Sequence, residues 1–115
     1  MKYKTRFFAR IIVFAVMLIS ANAFAIDTGW TKISILHPYL NGLNVKVVNN
    51  NNDPSGCGGG NGGFMLLSPT HPEYKLLSSI LMLAFSTNKD VLVYTYSSAE
   101  QCISGGSVVL GAQIK

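Results

Sequence analysis

The stretch SPTHPEYKLLSSILMLAFS, residues 68–86, has the pattern of an amphipathic helix and stands between segments of strand character. Thr70 and Glu73 have the spacing of a capping box. From Leu76 onward, apolar residues recur at i, i+1, i+4, i+5 and i+8, which is typical of a core-facing side. The pattern predicts a helix over about residues 71–86. Further apolar residues widen that side, so we expect the helix to be deeply buried or to present apolar surface to a partner.

Five segments with strand patterns surround this helix, three before it and two after it. They cover residues 30–37, 43–48, 64–67, 90–96 and 107–114. Pro38 is expected to end the first strand, and the Asn41-Gly42 step predicts a hairpin between the first two. The fold class is therefore mainly β with one helix, in the order β-β-β-α-β-β. This order predicts an OB-fold-like five-stranded barrel, with an open antiparallel sheet carrying the helix on one face as the alternative.

The N-terminus has the three parts of a secretory signal peptide. Residues 1–10 carry four positive charges and no negative charge, residues 11–19 are apolar, and small residues follow. The pattern predicts a signal peptide over residues 1–25 with cleavage after Ala25, or alternatively after Ala23. The apolar core is about half the roughly 20 residues that a membrane span needs. We therefore expect a periplasmic or secreted protein with no stable membrane insertion after signal removal.

The predicted mature chain, residues 26–115, has the length of one small domain. It keeps five lysines against five carboxylates and has no arginine, so its net charge is zero. A nucleic-acid-binding protein needs a basic surface to neutralise phosphates. The composition therefore argues against nucleic acid as a partner.

Two cysteines, Cys57 and Cys102, remain in the mature chain. In an oxidising compartment such a pair most often forms a disulfide; a reactive thiol and an intermolecular bridge are the alternatives. The glycines of residues 58–63 formally match G-x-G-x-x-G, but turn residues precede them and a strand follows, which is the wrong context for a nucleotide site. A zinc site needs about four ligands at close spacing, whereas the two cysteines and two histidines are dispersed and Cys57 has no C-x-x-C partner. We therefore expect a disulfide-stapled domain without a metal or cofactor.

Candidate catalytic groups are sparse. Both histidines, His37 and His71, precede prolines and are expected to be structural or solvated. Asp53 and Glu100 each lie near a cysteine and would approach each other if the disulfide joins their loops. Two carboxylates at a set separation would suit a glycosidase, but no nucleophile elbow is present. The prediction is that the chain has no catalytic residues and is not an enzyme.

A binding surface has more support from the sequence. Four aromatic residues combine an apolar face with a hydrogen-bonding tip: Trp30, Tyr39, Tyr94 and Tyr96. Tyr94 and Tyr96 alternate along one strand and share one side of it with Leu92. The alternative is that this side is the core, with the intervening residues facing outward.

Four features follow one another along the chain. They are Asp53-Pro54-Ser55-Gly56-Cys57, then Tyr74-Lys75-Leu76-Leu77, then Val91-Leu92-Val93-Tyr94, and finally Cys102 before the last strand. Over about residues 30–114 this layout resembles that of small exported bacterial proteins with one cysteine pair, and it is similar to the B subunits of subtilase-cytotoxin and pertussis-like toxins. Those subunits are OB folds that assemble into rings of five and bind cell-surface glycans. The resemblance implies a non-catalytic binding module and a homo-oligomer. It carries no glycan-contacting residue over to this chain.

Two functions follow as competing expectations. The first is an exported module that recognises a glycan or a protein, as toxin B subunits do. The second is a small periplasmic or secreted enzyme, or an enzyme inhibitor.

Overall fold

The computed structural model describes residues 25–115. Within this range lie six strands, one α-helix and two short 3-10 helices. The strands are β1 (Ala25–Asp27), β2 (Ile33–Tyr39), β3 (Gly42–Val47), β4 (Met65–Leu67), β5 (Val91–Tyr96) and β6 (Val109–Ile114); the helix is α1 (Tyr74–Ser86), and the 3-10 helices cover Asn61–Gly63 and Ala99–Gln101. Apart from Ala25, the predicted signal peptide and its alternative cleavage site at Ala23 lie outside the described residues.

The strands form two three-stranded antiparallel sheets, in the orders β2-β3-β4 and β1-β5-β6. Two isolated bridges connect the sheets, one antiparallel between Thr31 and Val91 and one parallel between Leu66 and Val108. The prediction of a mainly β chain with one helix is confirmed. The strand ladders do not form a closed barrel, and the open-sheet alternative fits them; the OB-fold barrel stays a prediction.

Two predictions about strand boundaries differ from the structure. Pro38 was expected to end the first strand, but β2 continues through it to Tyr39. Because β2 is an edge strand, hydrogen-bonded in its sheet to β3 only, a residue without an N–H is tolerated there. The short strand β1 is additional to the five predicted. It could not be predicted from local patterns, because its residues fall at the predicted cleavage site and its partners in β5 lie about 70 positions away.

The core lies between the two sheets and one side of α1. Its fully buried members come from both sheets and the helix: Val45, Met65, Leu67, Leu81, Val91, Val93 and Val109. The helix packs against β2 and β6. Outside this packed side, Leu76, Met82 and Leu83 are each more than half exposed. The wide apolar pattern was compatible with a deeply buried helix or with exposed apolar surface. The structure shows exposed apolar surface on the helix.

The predicted capping box at the start of α1 is wrong. The helix begins at Tyr74, and its N-cap residue, Glu73, makes no capping hydrogen bond with its own side chain. The imidazole of His71 takes the role expected of Thr70, because its Nδ1 accepts a hydrogen bond from the backbone N of Glu73 at 2.9 Å. The hydroxyl of Thr70 instead pairs with that of Ser68 at 2.8 Å. No helix in the described part of the chain combines the length and the apolar content required to cross a bilayer.

Candidate functional site

The two cysteines join the two long loops. Cys57 and Cys102 form a disulfide, with Cα atoms 5.8 Å apart and 45 positions between them in the sequence. The predicted cysteine pairing is therefore confirmed. The bond connects the loop between β3 and β4 to the loop between β5 and β6.

The carboxylate of Asp53 organises the loop around Cys57. Its Oδ1 accepts hydrogen bonds from Cys57 N and Ser107 Oγ, both at 2.8 Å. Its Oδ2 accepts from Gly58 N at 2.9 Å and Gly59 N at 3.2 Å. Burial raises the pKa of Asp53, but these four hydrogen bonds outweigh burial and hold the pKa below the ordinary value of 3.8. Asp53 therefore acts as an ionised anchor for backbone N–H groups.

Asp53 and Glu100 do not line the same cleft. Glu100 lies exposed in the second 3-10 helix, at a cleft of about 500 Å³ that it lines with Tyr96, Gln101 and Ile103. Asp53 does not line this cleft. The structure therefore does not bring the two carboxylates into one cleft, as a glycosidase site would require.

Three asparagine side chains form a closed ring of hydrogen bonds beside the β2–β3 turn. Asn41 Nδ2 donates to Asn61 Oδ1 at 3.0 Å, Asn61 Nδ2 donates to Asn44 Oδ1 at 2.8 Å, and Asn44 Nδ2 donates back to Asn41 Oδ1 at 3.0 Å. Two of the amides also donate to backbone carbonyls, Asn44 to His37 O and Asn61 to Phe64 O. We call this set, Asn41, Asn44 and Asn61, the asparagine ring. It fixes three amides from two chain segments, the β2–β3 hairpin and the glycine-rich loop, in one place.

Aromatic side chains flank the asparagine ring. The ring of His37 lies 5.4 Å from that of Tyr39 and 5.8 Å from that of Phe64, measured between centroids. Tyr39 is 65% exposed. Together with the asparagine ring, these residues and the tip of the hairpin line a shallow groove of about 310 Å³, which we call the asparagine groove. The groove offers fixed amides beside apolar ring surface, the combination that binds ligands with both polar and apolar faces.

Tyr94 and Tyr96 lie on the outer side of β5. Val91, Val93 and Thr95 are completely buried, so they form the core side. The alternative that the tyrosines face the core is therefore incorrect. Tyr94 accepts a hydrogen bond from Gln113 Nε2 at 3.1 Å, and Tyr96 lines the cleft that Glu100 shares.

The four aromatic residues singled out in the sequence do not meet in one groove. Tyr39 lines the asparagine groove, and none of the other three does. Trp30 is 42% exposed and carries the Nζ of Lys115 over its ring, 4.4 Å from the centroid. Of the predicted surface, the groove contains Tyr39 alone.

Sequence reasoning missed the asparagine ring and Phe64. Two signals were present. Asn41 and Asn61 are each followed by glycine, and Asn44 stands in a strand between two core residues although asparagine is depleted in strands. Neither signal indicates that the three side chains meet.

Among residues 25–115, no group of three or more histidine, cysteine, aspartate or glutamate side chains is arranged to hold a metal ion. Comparison of the chain with protein-family models, with curated proteins and with solved structures finds no significant match.

Proposed function

We propose that this chain is an exported, non-catalytic binding module that recognises a glycan through the asparagine groove. The observation that carries the proposal is the asparagine ring beside the exposed ring of Tyr39. A pyranose has C–H faces that pack on aromatic rings and hydroxyls that pair with amides. Because the amides are already held in place, binding would require little ordering of side chains.

The position of the asparagine groove agrees with that of the ligand site in an OB-type barrel. The two inter-sheet bridges suggest a circular strand order, β2-β3-β4-β6-β5, that returns to β2 through Thr31. This order, with parallel contact between β4 and β6, supports a partly open OB-type barrel with β1 added. OB folds bind oligosaccharides near the loop between their first two strands. In this chain that loop is the β2–β3 turn, which forms one end of the groove.

Recognition of a protein is the second candidate, and the exposed side of α1 favours it. Leu76, Met82 and Leu83 are each more than half exposed on one short helix. Exposed apolar patches of this kind mark protein interfaces. Homo-oligomer formation, as in the toxin B subunits, would use the same kind of surface.

A glycan array tests the leading proposal. The exported protein, purified from the medium or periplasm of its expression host, is expected to bind a restricted set of glycans. Tyr39→Ala is expected to reduce this binding at least about tenfold, by loss of the stacking surface. Trp30→Ala, which removes an aromatic ring outside the groove, serves as the matched control. No glycan binding, or binding that Tyr39→Ala leaves unchanged, would contradict the proposal.

A further inference from the structure

We infer that the asparagine groove selects neutral, hydroxyl-rich pyranosides and discriminates against acidic sugars. The inference rests on the proposed glycan-binding function and specifies its ligand class. The argument follows from the hydrogen-bonding capacity that the asparagine ring leaves unused.

The amides of the asparagine ring have almost no donors to spare. Each asparagine has two N–H donors and an oxygen with two acceptor sites. Asn44 uses both donors, on Asn41 Oδ1 and on the carbonyl of His37. Asn61 also uses both, on Asn44 Oδ1 and on the carbonyl of Phe64. Among the described partners, Asn41 donates once, to Asn61, which leaves it one free N–H.

The oxygens of the asparagine ring have more unused hydrogen-bonding capacity than its N–H groups. The Oδ1 atoms of Asn41 and Asn61, which are half-buried, each accept one hydrogen bond within the ring and retain a second acceptor site. Asn44 is buried, 3% exposed, so its oxygen is not offered to a ligand. The groove therefore presents mainly acceptors to a ligand. Rotating any one amide would place like atoms opposite each other around the ring. Rotating all three together would turn the oxygens of Asn44 and Asn61 toward the carbonyls of His37 and Phe64, so the ring and these two carbonyls together fix the orientation.

A ligand that matches this surface must supply donors. Sugar hydroxyls donate, and vicinal hydroxyls can donate to neighbouring oxygens while their own oxygens accept the remaining N–H of Asn41. An ionised carboxylate can accept hydrogen bonds but cannot donate them. At the asparagine ring it would face amide oxygens and would find too few N–H donors for its negative charge. Such mismatched polar groups oppose binding.

Lys46, whose ammonium contacts one aromatic ring that lines the groove, does not reverse this preference. Lys46 Nζ lies over the ring of Phe64, 4.5 Å from its centroid. The lysine is absent from the lining of the groove. The ammonium is thus held on the aromatic face, where the ring quadrupole attracts it.

The test compares sugars that differ only in the oxidation state of carbon 6. Methyl glucopyranoside and methyl galactopyranoside are titrated into the exported, 15N-labelled protein beside the matching methyl glucuronide and methyl galacturonide, at neutral to slightly alkaline pH. Binding is followed through the side-chain amide resonances of the asparagine ring. We expect at least one neutral sugar to shift these resonances and to bind at least about tenfold more tightly than its acidic partner, the effect of losing about one hydrogen bond.

Two variants locate the effect. Tyr39→Ala should weaken the neutral sugars, and Lys46→Ala should leave the neutral-to-acidic ratio unchanged. Equal or tighter binding of the acidic sugars, or an acidic preference that disappears in Lys46→Ala, would overturn the inference and leave glycan binding intact. Failure of all four sugars and of a glycan array to bind would overturn both the inference and the proposed function.

Discussion

Ser107 Oγ donates a hydrogen bond to Asp53 Oδ1 at 2.8 Å, across 54 positions of the sequence. Ser107 is completely buried two residues before β6, and its Oγ also accepts from Ser55 N at 3.2 Å. Beside this contact, Cys57 links the same loop to Cys102. The glycine-rich loop is therefore fastened both by a covalent bond and by a carboxylate that gathers backbone N–H groups.

The lowered pKa of Asp53 predicts acid sensitivity. Because the folded pKa lies below the unfolded value of about 3.8, the unfolded chain binds more protons in this acid range. The stabilisation is fully present above the unfolded pKa and is lost as the pH falls through the folded pKa. We expect Asp53→Asn to lower the free energy of unfolding by about 1–3 kcal/mol at neutral pH, since its amide would face the N–H groups of Gly58 and Gly59. Urea unfolding between about pH 7 and pH 2 should show this difference shrinking below about pH 4.

Glu100→Gln is the control for this experiment, because it removes an exposed carboxylate outside the Asp53 network. It is expected to leave the unfolding free energy and its pH dependence close to those of the wild type. A wild-type/Asp53→Asn difference that stays constant down to the lowest pH would contradict the assigned role of Asp53.

The disulfide between Cys57 and Cys102 should contribute a large share of the stability. It closes a loop of 45 residues, for which chain entropy gives about 4 kcal/mol. We expect the double variant Cys57→Ala/Cys102→Ala to lose about that much in urea unfolding. The reduced wild type should unfold at nearly the same urea concentration as the variant. Equal stability of the oxidised and reduced wild type would refute the prediction.

The features that the sequence predicted correctly depend on local patterns or on a forced pairing. The α1 helix and five of the strands follow from apolar periodicity, and Cys102 is the only other cysteine in the sequence with which Cys57 could pair. The asparagine ring could not be predicted in this way. Asn41 and Asn61 lie 20 positions apart, and their contact depends on how the glycine-rich loop folds back onto the hairpin.

The start of α1 also depends on a tertiary contact that the local sequence does not predict. The spacing of Thr70 and Glu73 fits a capping box, but a competing acceptor lies one residue away. The imidazole of His71 can bridge Glu73 N and the carbonyl of Leu110 in β6, the latter through Nε2 at 2.8 Å. This second contact is tertiary, and local sequence spacing contains no information about it.

This arrangement predicts unequal effects of two neighbouring substitutions. His71→Ala removes both contacts of the imidazole and should lower the free energy of unfolding by about 1–3 kcal/mol. Thr70→Ala removes only an exposed hydroxyl pair with Ser68 and should have little effect. The measurement is urea unfolding of both variants. A larger loss in Thr70→Ala than in His71→Ala would restore the capping box and reject the imidazole bridge.

We expect substitutions of buried and of exposed leucines in α1 to differ in their effect on the unfolding free energy. Leu81 is completely buried, whereas Leu83, on the same helix, is 51% exposed. We expect Leu81→Ala to cost about 2–5 kcal/mol through lost burial and a residual cavity. Leu83→Ala should change the unfolding free energy much less, since alanine also has a high helix propensity. Comparable losses in the two variants would mean that Leu83 is covered in solution, for example by another copy of the chain.

Substitution of Gly60 by alanine tests the effect of close backbone packing alone. Its φ of −68° suits any residue, but a Cβ atom there would lie 2.6 Å from the Cα of Gly105. We expect Gly60→Ala to lower the unfolding free energy by about 1–3 kcal/mol, because the two disulfide-linked loops would have to separate. Gly111→Ala is the matched control, because a Cβ there meets only Tyr94 Cδ2 at 3.9 Å and should be neutral or stabilising by up to about 1 kcal/mol. Equal stability of the two alanine variants would show that the loops are not in contact at Gly60.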